Sequence, residues 1–178
     1  MMRIHSPGDM RALRLLTGIS AEQAGQLFGC TAQSVVDNER STEVVTEWRD
    51  ALLSLQDEQI KAAQECFMIL RKTEKQDKEV LYGGGAVIFT NDEDFREVLP
   101  VLAQRLHFAN VHTLVMMRVK FLVDKPLALI VYRHADYRQW CAENGQEPDA
   151  GASLSIWVAA RARETTMRSD RKPGARLS

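Results

Sequence analysis

Apolar residues in the first forty positions fall into three short groups, each preceded by a side chain able to cap a helix. Asp9 stands before Met10-Arg11-Ala12-Leu13-Arg14-Leu15-Leu16-Thr17, and Gly18 follows. That order predicts a helix with an acceptor at its N-cap and a left-handed residue after its end. Ser20 is placed to cap Ala21 to Phe28, which Gly29 stops, and Thr31 to cap a third helix running to about Arg40. Helices this short cannot each bury a face alone, so they must pack on one another at steep angles. From Thr42 to Tyr82 there is neither glycine nor proline, and Val44, Trp48, Ala51, Leu52, Leu55, Ala62, Cys66 and Ile69 or Leu70 recur mostly three or four apart. This is the spacing of an amphipathic helix. Its length predicts either one long helix or two, broken near Gln56-Asp57-Glu58. Arg71 to Glu79 is almost wholly charged and reads as solvated, and Gly83-Gly84-Gly85 reads as a flexible hinge.

The pattern then changes period. Ala86-Val87-Ile88-Phe89 and Leu129-Ile130-Val131-Tyr132 are short β-branched and aromatic runs, the signature of strands. Each leads into a helix that begins acid, aromatic, arginine: Asp94-Phe95-Arg96 and Asp136-Tyr137-Arg138, 42 residues apart. Each of these is followed by a loop and a second apolar helix, Val111 to Val123 and Ser153 to about Arg163. The expectation is a degenerate tandem repeat of a strand-helix-helix unit, roughly 86–125 and 129–165. Single strands need partners for their backbone groups, so the two must pair, within the chain or across a dimer.

Composition narrows the class. A chain of 178 residues makes one compact domain or two small ones, and 45% hydrophobic with 26% charged residues excludes wholesale disorder. No uncharged apolar run is long enough to span a membrane. Met1 to Pro7 contains no apolar core or cleavage site, so no signal peptide is expected. Cys30, Cys66 and Cys141 lie far apart and are odd in number, which fits a reduced cytoplasm and argues against a disulfide framework or zinc finger. The net charge of −1 gives no bulk attraction to nucleic acid, and its distribution is uneven. Residues 1–60 carry five basic against nine acidic side chains, whereas residues 161–178 carry six against two. The basic end, with Pro173, Gly174 and little apolar content, reads as a disordered tail, either solubilising or phosphate-touching.

The order Leu13-Arg14, Gly18-Ile19-Ser20, Gly25, Phe28-Gly29-Cys30-Thr31, Gln33-Ser34-Val35 and Glu39 resembles the helix-turn-helix of the Xre (phage Cro/CI-type) regulator family across residues 9–55. The resemblance implies that Gly25 lets the second helix approach the third, that Gly29 makes the turn, and that Val35 and Phe28 fill the core. It also implies a shielded ion pair between Arg14 and Glu39, which is informative because an unpaired charge there would be costly. In such a module the third helix enters the major groove with its N-terminal residues at base edges. By position, that implies Thr31 and Ser34 on phosphate or base and Gln33 reading a base, where its amide can grip the N6/N7 edge of adenine. Asp37, one turn later, could accept from cytosine N4 but would repel phosphate, and Arg40 is the nearest phosphate partner. Three positions depart from the family: Ala21 replaces a frequent phosphate-binding glutamine, Ser41 a frequent glycine, and Asn38 an apolar residue. The later half is similar, more loosely, to the small strand-helix dimerisation regions of phage-associated helix-turn-helix regulators, including anti-CRISPR-associated repressors. That likeness rests on the long helix and on Ile130 to Trp140; those regions carry one unit rather than two.

Catalysis and cofactors find no foothold. His5, His107, His112 and His134 are scattered, and none stands at ligand spacing from a cysteine or carboxylate, so no metal site is expected. Asn91-Asp92-Glu93-Asp94 reads as a helix start favoured by the dipole. Gly83-Gly84-Gly85 lacks the lysine and serine of a phosphate-binding loop, Cys66 reads as core, and Met116, Met117 and Trp157 as core or subunit contact. No nucleophile–base grouping can be assembled, so an enzyme is not expected. The sequence therefore predicts an α+β protein, mostly α. It divides into a helix-turn-helix domain over 1–55, a connecting helix over 56–82, an αβ dimerisation or interaction domain over 83–165, and a basic tail over 166–178. The expected function is a cytoplasmic, homodimeric transcriptional repressor on double-stranded DNA. The alternative is an interaction module that keeps the helical fold but has lost the nucleic-acid face, as the acidic balance, Ala21 and Asp37 would favour.

Overall fold

The computed structural model describes residues 6–41, 43–76, 84–123, 127–149 and 151–170, which form nine helices and two short strands. Helix α1 (Pro7–Thr17) starts earlier than its apolar run suggests. Ser6, not Asp9, is the N-cap. The Ser6 hydroxyl accepts from the Asp9 N–H at 3.2 Å and the Asp9 carboxylate accepts from the Ser6 N–H at 2.9 Å. Pro7, with its preset φ, occupies the first turn, so this reciprocal box forms one turn upstream of the expected cap. Gly18 ends α1 at φ +78°. Ser20 caps α2 (Ala21–Phe28), and Gly29 ends it at φ +71°. Thr31 caps α3 (Ala32–Asn38), which stops two residues short of Arg40. There the backbone tightens into turns, with the Arg40 and Ser41 N–H groups donating to the carbonyls of Asp37 and Asn38.

Helix α4 (Thr46–Gln76) runs unbroken through Gln56-Asp57-Glu58, so of the two expected forms it takes the single long helix. Those residues are adequate helix formers, and their surroundings hold them. Glu58 accepts from Lys61 at 2.8 Å and from Arg105 at 2.7 Å. Gln59, fully buried, donates to the Thr17 carbonyl at 2.7 Å. The helix begins at Thr46 rather than Thr42, which lies outside the described residues, as do residues 77–83.

Strands β1 (Gly85–Ile88) and β2 (Ala128–Val131) pair with each other in parallel, from Gly85↔Ala128 to Ile88↔Val131. The pairing is therefore within the chain. Gly85 is not a hinge: a Cβ there would come within 2.9 Å of Val158 Cγ1 and 3.0 Å of Ala162 Cβ. Its missing side chain lets the last helix lie against the strand. After β1 come α5 (Asp92–Val98), α6 (Pro100–Leu106) and α7 (Ala109–Leu122); after β2 come α8 (His134–Glu143) and α9 (Ala152–Asp170). The first strand is thus followed by three helices, not the expected two. Leu99 precedes a proline and leaves helical space at φ −127°, ψ 60°, and Pro100 then opens a new helix. Helix α9 continues to Asp170, so residues 166–170, expected as tail, are helical; no glycine or proline interrupts them. The rest of that tail, 171–178, lies outside the described residues.

One apolar core joins the two halves. It runs from Leu13, Ile19, Val35 and Leu52 through Ala62, Val111 and Val115 to Phe95, Tyr132, Tyr137 and Trp157. Helix α7 packs on α4 and β1, while α9 covers both strands. Among the described residues no helix is long and apolar enough to cross a membrane.

Candidate nucleic-acid interface

The geometry of α3 is set from below. A Cβ on Gly25 would lie 2.7 Å from the Cys30 carbonyl oxygen and 3.2 Å from the Ala32 nitrogen, so only glycine lets α2 approach the turn this closely. Val35, on the inner face of α3, is 2% exposed. Phe28 stacks on Trp48 of α4, with centroids 4.8 Å apart and planes 8° from parallel. At the far end Arg14 and Glu39 form a bidentate pair, Nε–Oε1 at 2.6 Å and Nη2–Oε2 at 3.1 Å. The guanidinium also donates to the Ile19 carbonyl at 3.0 Å. With side chains 9% and 8% exposed, this pair ties α1 to the end of α3 away from water.

Packing inward by Val35 turns the opposite face of α3 to solvent. Thr31, Gln33, Ser34, Asp37 and Arg40 are all exposed. The Thr31 Oγ1 accepts from the Ser34 N–H at 3.1 Å and lies 2.9 Å from the Ser34 hydroxyl. The Gln33 amide donates to Asp37 Oδ1 at 2.7 Å, which leaves it a second N–H and its carbonyl for another partner. Four of the five side chains are thus linked in two pairs. Arg40 stands apart, in the turn after the helix rather than at its end. Around this row the charge is mixed. Glu22 on α2 is exposed, and a hydrogen bond with the Ser20 side chain leads the causes holding its carboxyl below the ordinary range. Arg49 is engaged with Asp50 at 2.9 Å.

The turn between α1 and α2 is anchored to α7 by residues that periodicity could not single out. Asn110 Nδ2 donates to the Gly18 carbonyl at 2.6 Å, and the Gln23 amide donates to Asn110 Oδ1 at 2.9 Å. Gly18 also sits where a Cβ would come 2.0 Å from Leu114 Cδ1. From α4, Gln59 reaches the end of α1 at Thr17, and its place in an otherwise apolar stripe between Leu55 and Ala62 was a legible signal, because a buried amide needs a partner.

No protein-family model and no curated protein sequence matches the chain.

Proposed function

We propose that this chain is a sequence-specific DNA-binding transcriptional regulator, a repressor acting as a homodimer, with α1 to α3 as a helix-turn-helix of the Xre kind. The observation that carries the reading is the capped, outward-facing row on α3, whose core side is fixed by Gly25, Val35 and the Arg14–Glu39 pair. A helix held this firmly keeps its exposed side chains preorganised, which lowers the ordering cost of binding. Gln33 reads an adenine edge with its carbonyl and free N–H, while Asp37 holds the amide in orientation. Thr31 and Ser34 hydrogen-bond phosphate, and Arg40 supplies the nearby positive charge. A single module with so few cations binds weakly alone, so a second copy supplies the other half-site. In this reading the two strand-led units form a degenerate αβ repeat that sets the spacing between reading helices.

The competing reading is a protein-interaction module that keeps the helical arrangement without the nucleic-acid face. Glu22 and Asp37 on the exposed surface favour it. Salt separates the two. Binding to duplex DNA followed by anisotropy should weaken steeply as salt rises, with a log–log slope that counts the phosphates neutralised. Gln33→Ala should abolish sequence preference while retaining most of the non-specific affinity. Binding that ignores salt, or a preference unchanged in the variant, contradicts the regulator reading.

A further inference from the structure

The parallel pairing of the strands has a chemical consequence at their C-terminal ends. Ile88 lies beside Val131, and the Tyr132 N–H donates to the Ile88 carbonyl at 2.8 Å, so the helices that follow begin side by side. Asp94 and Glu97, three residues apart on α5, therefore meet His134, the first residue of α8. One ligand atom from each of the three lies within 4.8 Å of the others. Two carboxylates at that distance repel unless a cation stands between them. Arg96, their neighbour in sequence, is directed to Asp92 at 3.9 Å. Among the described residues no basic side chain reaches ion-pair distance of Asp94 or Glu97.

A second observation lies beside the cluster. Tyr132 is 3% exposed, yet its hydroxyl has a single long contact, 3.4 Å to Nδ1 of His134. Glu97, Tyr132 and His134 line an open cleft of about 340 Å³ together with Tyr137, Arg138 and Asp149. Asp94 is already oriented: one carboxylate oxygen accepts from the Asn91 amide at 2.8 Å, which leaves the other available.

The geometry points to a divalent transition-metal site formed by Asp94, Glu97 and His134, which clips α5 to α8 across the strand pair. One imidazole with two carboxylates suits an ion of borderline softness, Zn2+ or Mn2+. The imidazole disfavours Mg2+, and the lack of thiolate disfavours the softer ions. Three protein ligands leave positions for water from the cleft, and the His134–Tyr132 contact is the kind of outer partner that fixes a ligating imidazole. Ligands held about 2.0–2.2 Å from one ion lie about 3–4 Å apart. An ion there draws the three side chains, within 4.8 Å of one another here, closer together.

The test is calorimetric titration of the full, metal-free chain with MnCl2 and with ZnCl2, with MgCl2 as the control. The site should take one Mn2+ or Zn2+ per chain at micromolar affinity, at least tenfold tighter than Mg2+, and the bound ion should raise the melting temperature. Mn2+ is the deciding probe, because the thiols of Cys30 and Cys66 compete for Zn2+ but hold Mn2+ poorly. His134→Gln should weaken Mn2+ binding at least tenfold with the fold retained by circular dichroism. Should that variant fail to fold, Glu97→Gln, at an exposed position, should give the same loss. Affinity no tighter than millimolar, or equal Mn2+ binding in wild type and a folded variant, overturns the site.

Discussion

Removing Glu39 should expose how much of the N-terminal bundle depends on one buried ion pair. In Glu39→Ala the Arg14 guanidinium loses both carboxylate contacts while its side chain remains 9% exposed in the intact arrangement. Breaking a buried pair by deleting one partner costs about 3–5 kcal/mol, most of it from the stranded charge. Here the third guanidinium contact, to the Ile19 carbonyl at 3.0 Å, survives and places the expected loss near the lower end, about 3 kcal/mol. For a chain of this size that corresponds to a melting temperature lower by about 6–12 °C. Urea titration followed by circular dichroism reads the loss directly, as a lower midpoint at unchanged slope. The double variant Arg14→Met, Glu39→Leu should recover a substantial part of it, because no charge is left to desolvate. A Glu39→Ala loss below about 0.5 kcal/mol would mean the charge finds water on relaxation, and the pair would then count as a surface bridge. A double variant as damaging as Arg14→Met and Glu39→Leu added together would refute the coupling.

His112 should make stability depend on acid. It is 2% exposed between Phe89 and Phe95, at ring distances of 5.5 and 5.0 Å, its Nδ1 has no partner, and burial pushes its pKa down to about 4. The unfolded chain, titrating near the ordinary value, binds the proton first. The stabilising contribution is therefore complete above about pH 6.5 and falls away between about 6.5 and 4, by about 3 kcal/mol in total. Unfolding titrations across that window should show a shallower pH slope in His112→Phe; identical slopes would remove His112 from the account. Gly25→Ala should destabilise by about 1–3 kcal/mol despite the better helix propensity of alanine, since its Cβ would meet the Cys30 carbonyl oxygen at 2.7 Å. A raised urea midpoint in that variant would show that α2 and the following turn are not in forced contact.

Local features of the chain were legible in the sequence to different depths. The caps at Ser20 and Thr31, the glycine stops and the two β-branched runs are encoded within a few residues of the elements they shape. The helices there begin and end within one or two residues of their patterns. The cap of α1 lies one turn upstream of Asp9, because an acid in the first turn and a capping acid look alike when only the apolar run that follows is used to place the start. Helix α4 takes the unbroken one of its two expected forms because charge alone does not stop a helix. What supports it, Arg105 on α6 against Glu58 and Glu65, is contributed from 40 residues and more away. Pro100 was the overlooked signal for the extra helix after β1. The candidate site divides in the same way. Which side chains of α3 face outward follows from the inward turn of Val35, a local matter of helical spacing. The bond from Gln33 to Asp37 is likewise local, one turn apart, yet rotamers decide it and a pattern does not. Asn110 on the α1–α2 turn and His134 beside Asp94 and Glu97 depend on how α7 and α8 dock. His134 stands 37 positions from Glu97 in the chain, and only the parallel register of two four-residue strands makes them neighbours.

The measurement that bears most directly on the central claim is enrichment of duplexes from a random-sequence pool by the purified full chain at moderate salt. The account predicts a selected site with two related half-sites in inverted order, their centres about 34 Å apart along the duplex or a multiple of that spacing. It also predicts that Gln33→Ala fails to select the same site. A pool that stays unenriched, with wild type retaining no duplex even in dilute buffer, would contradict it.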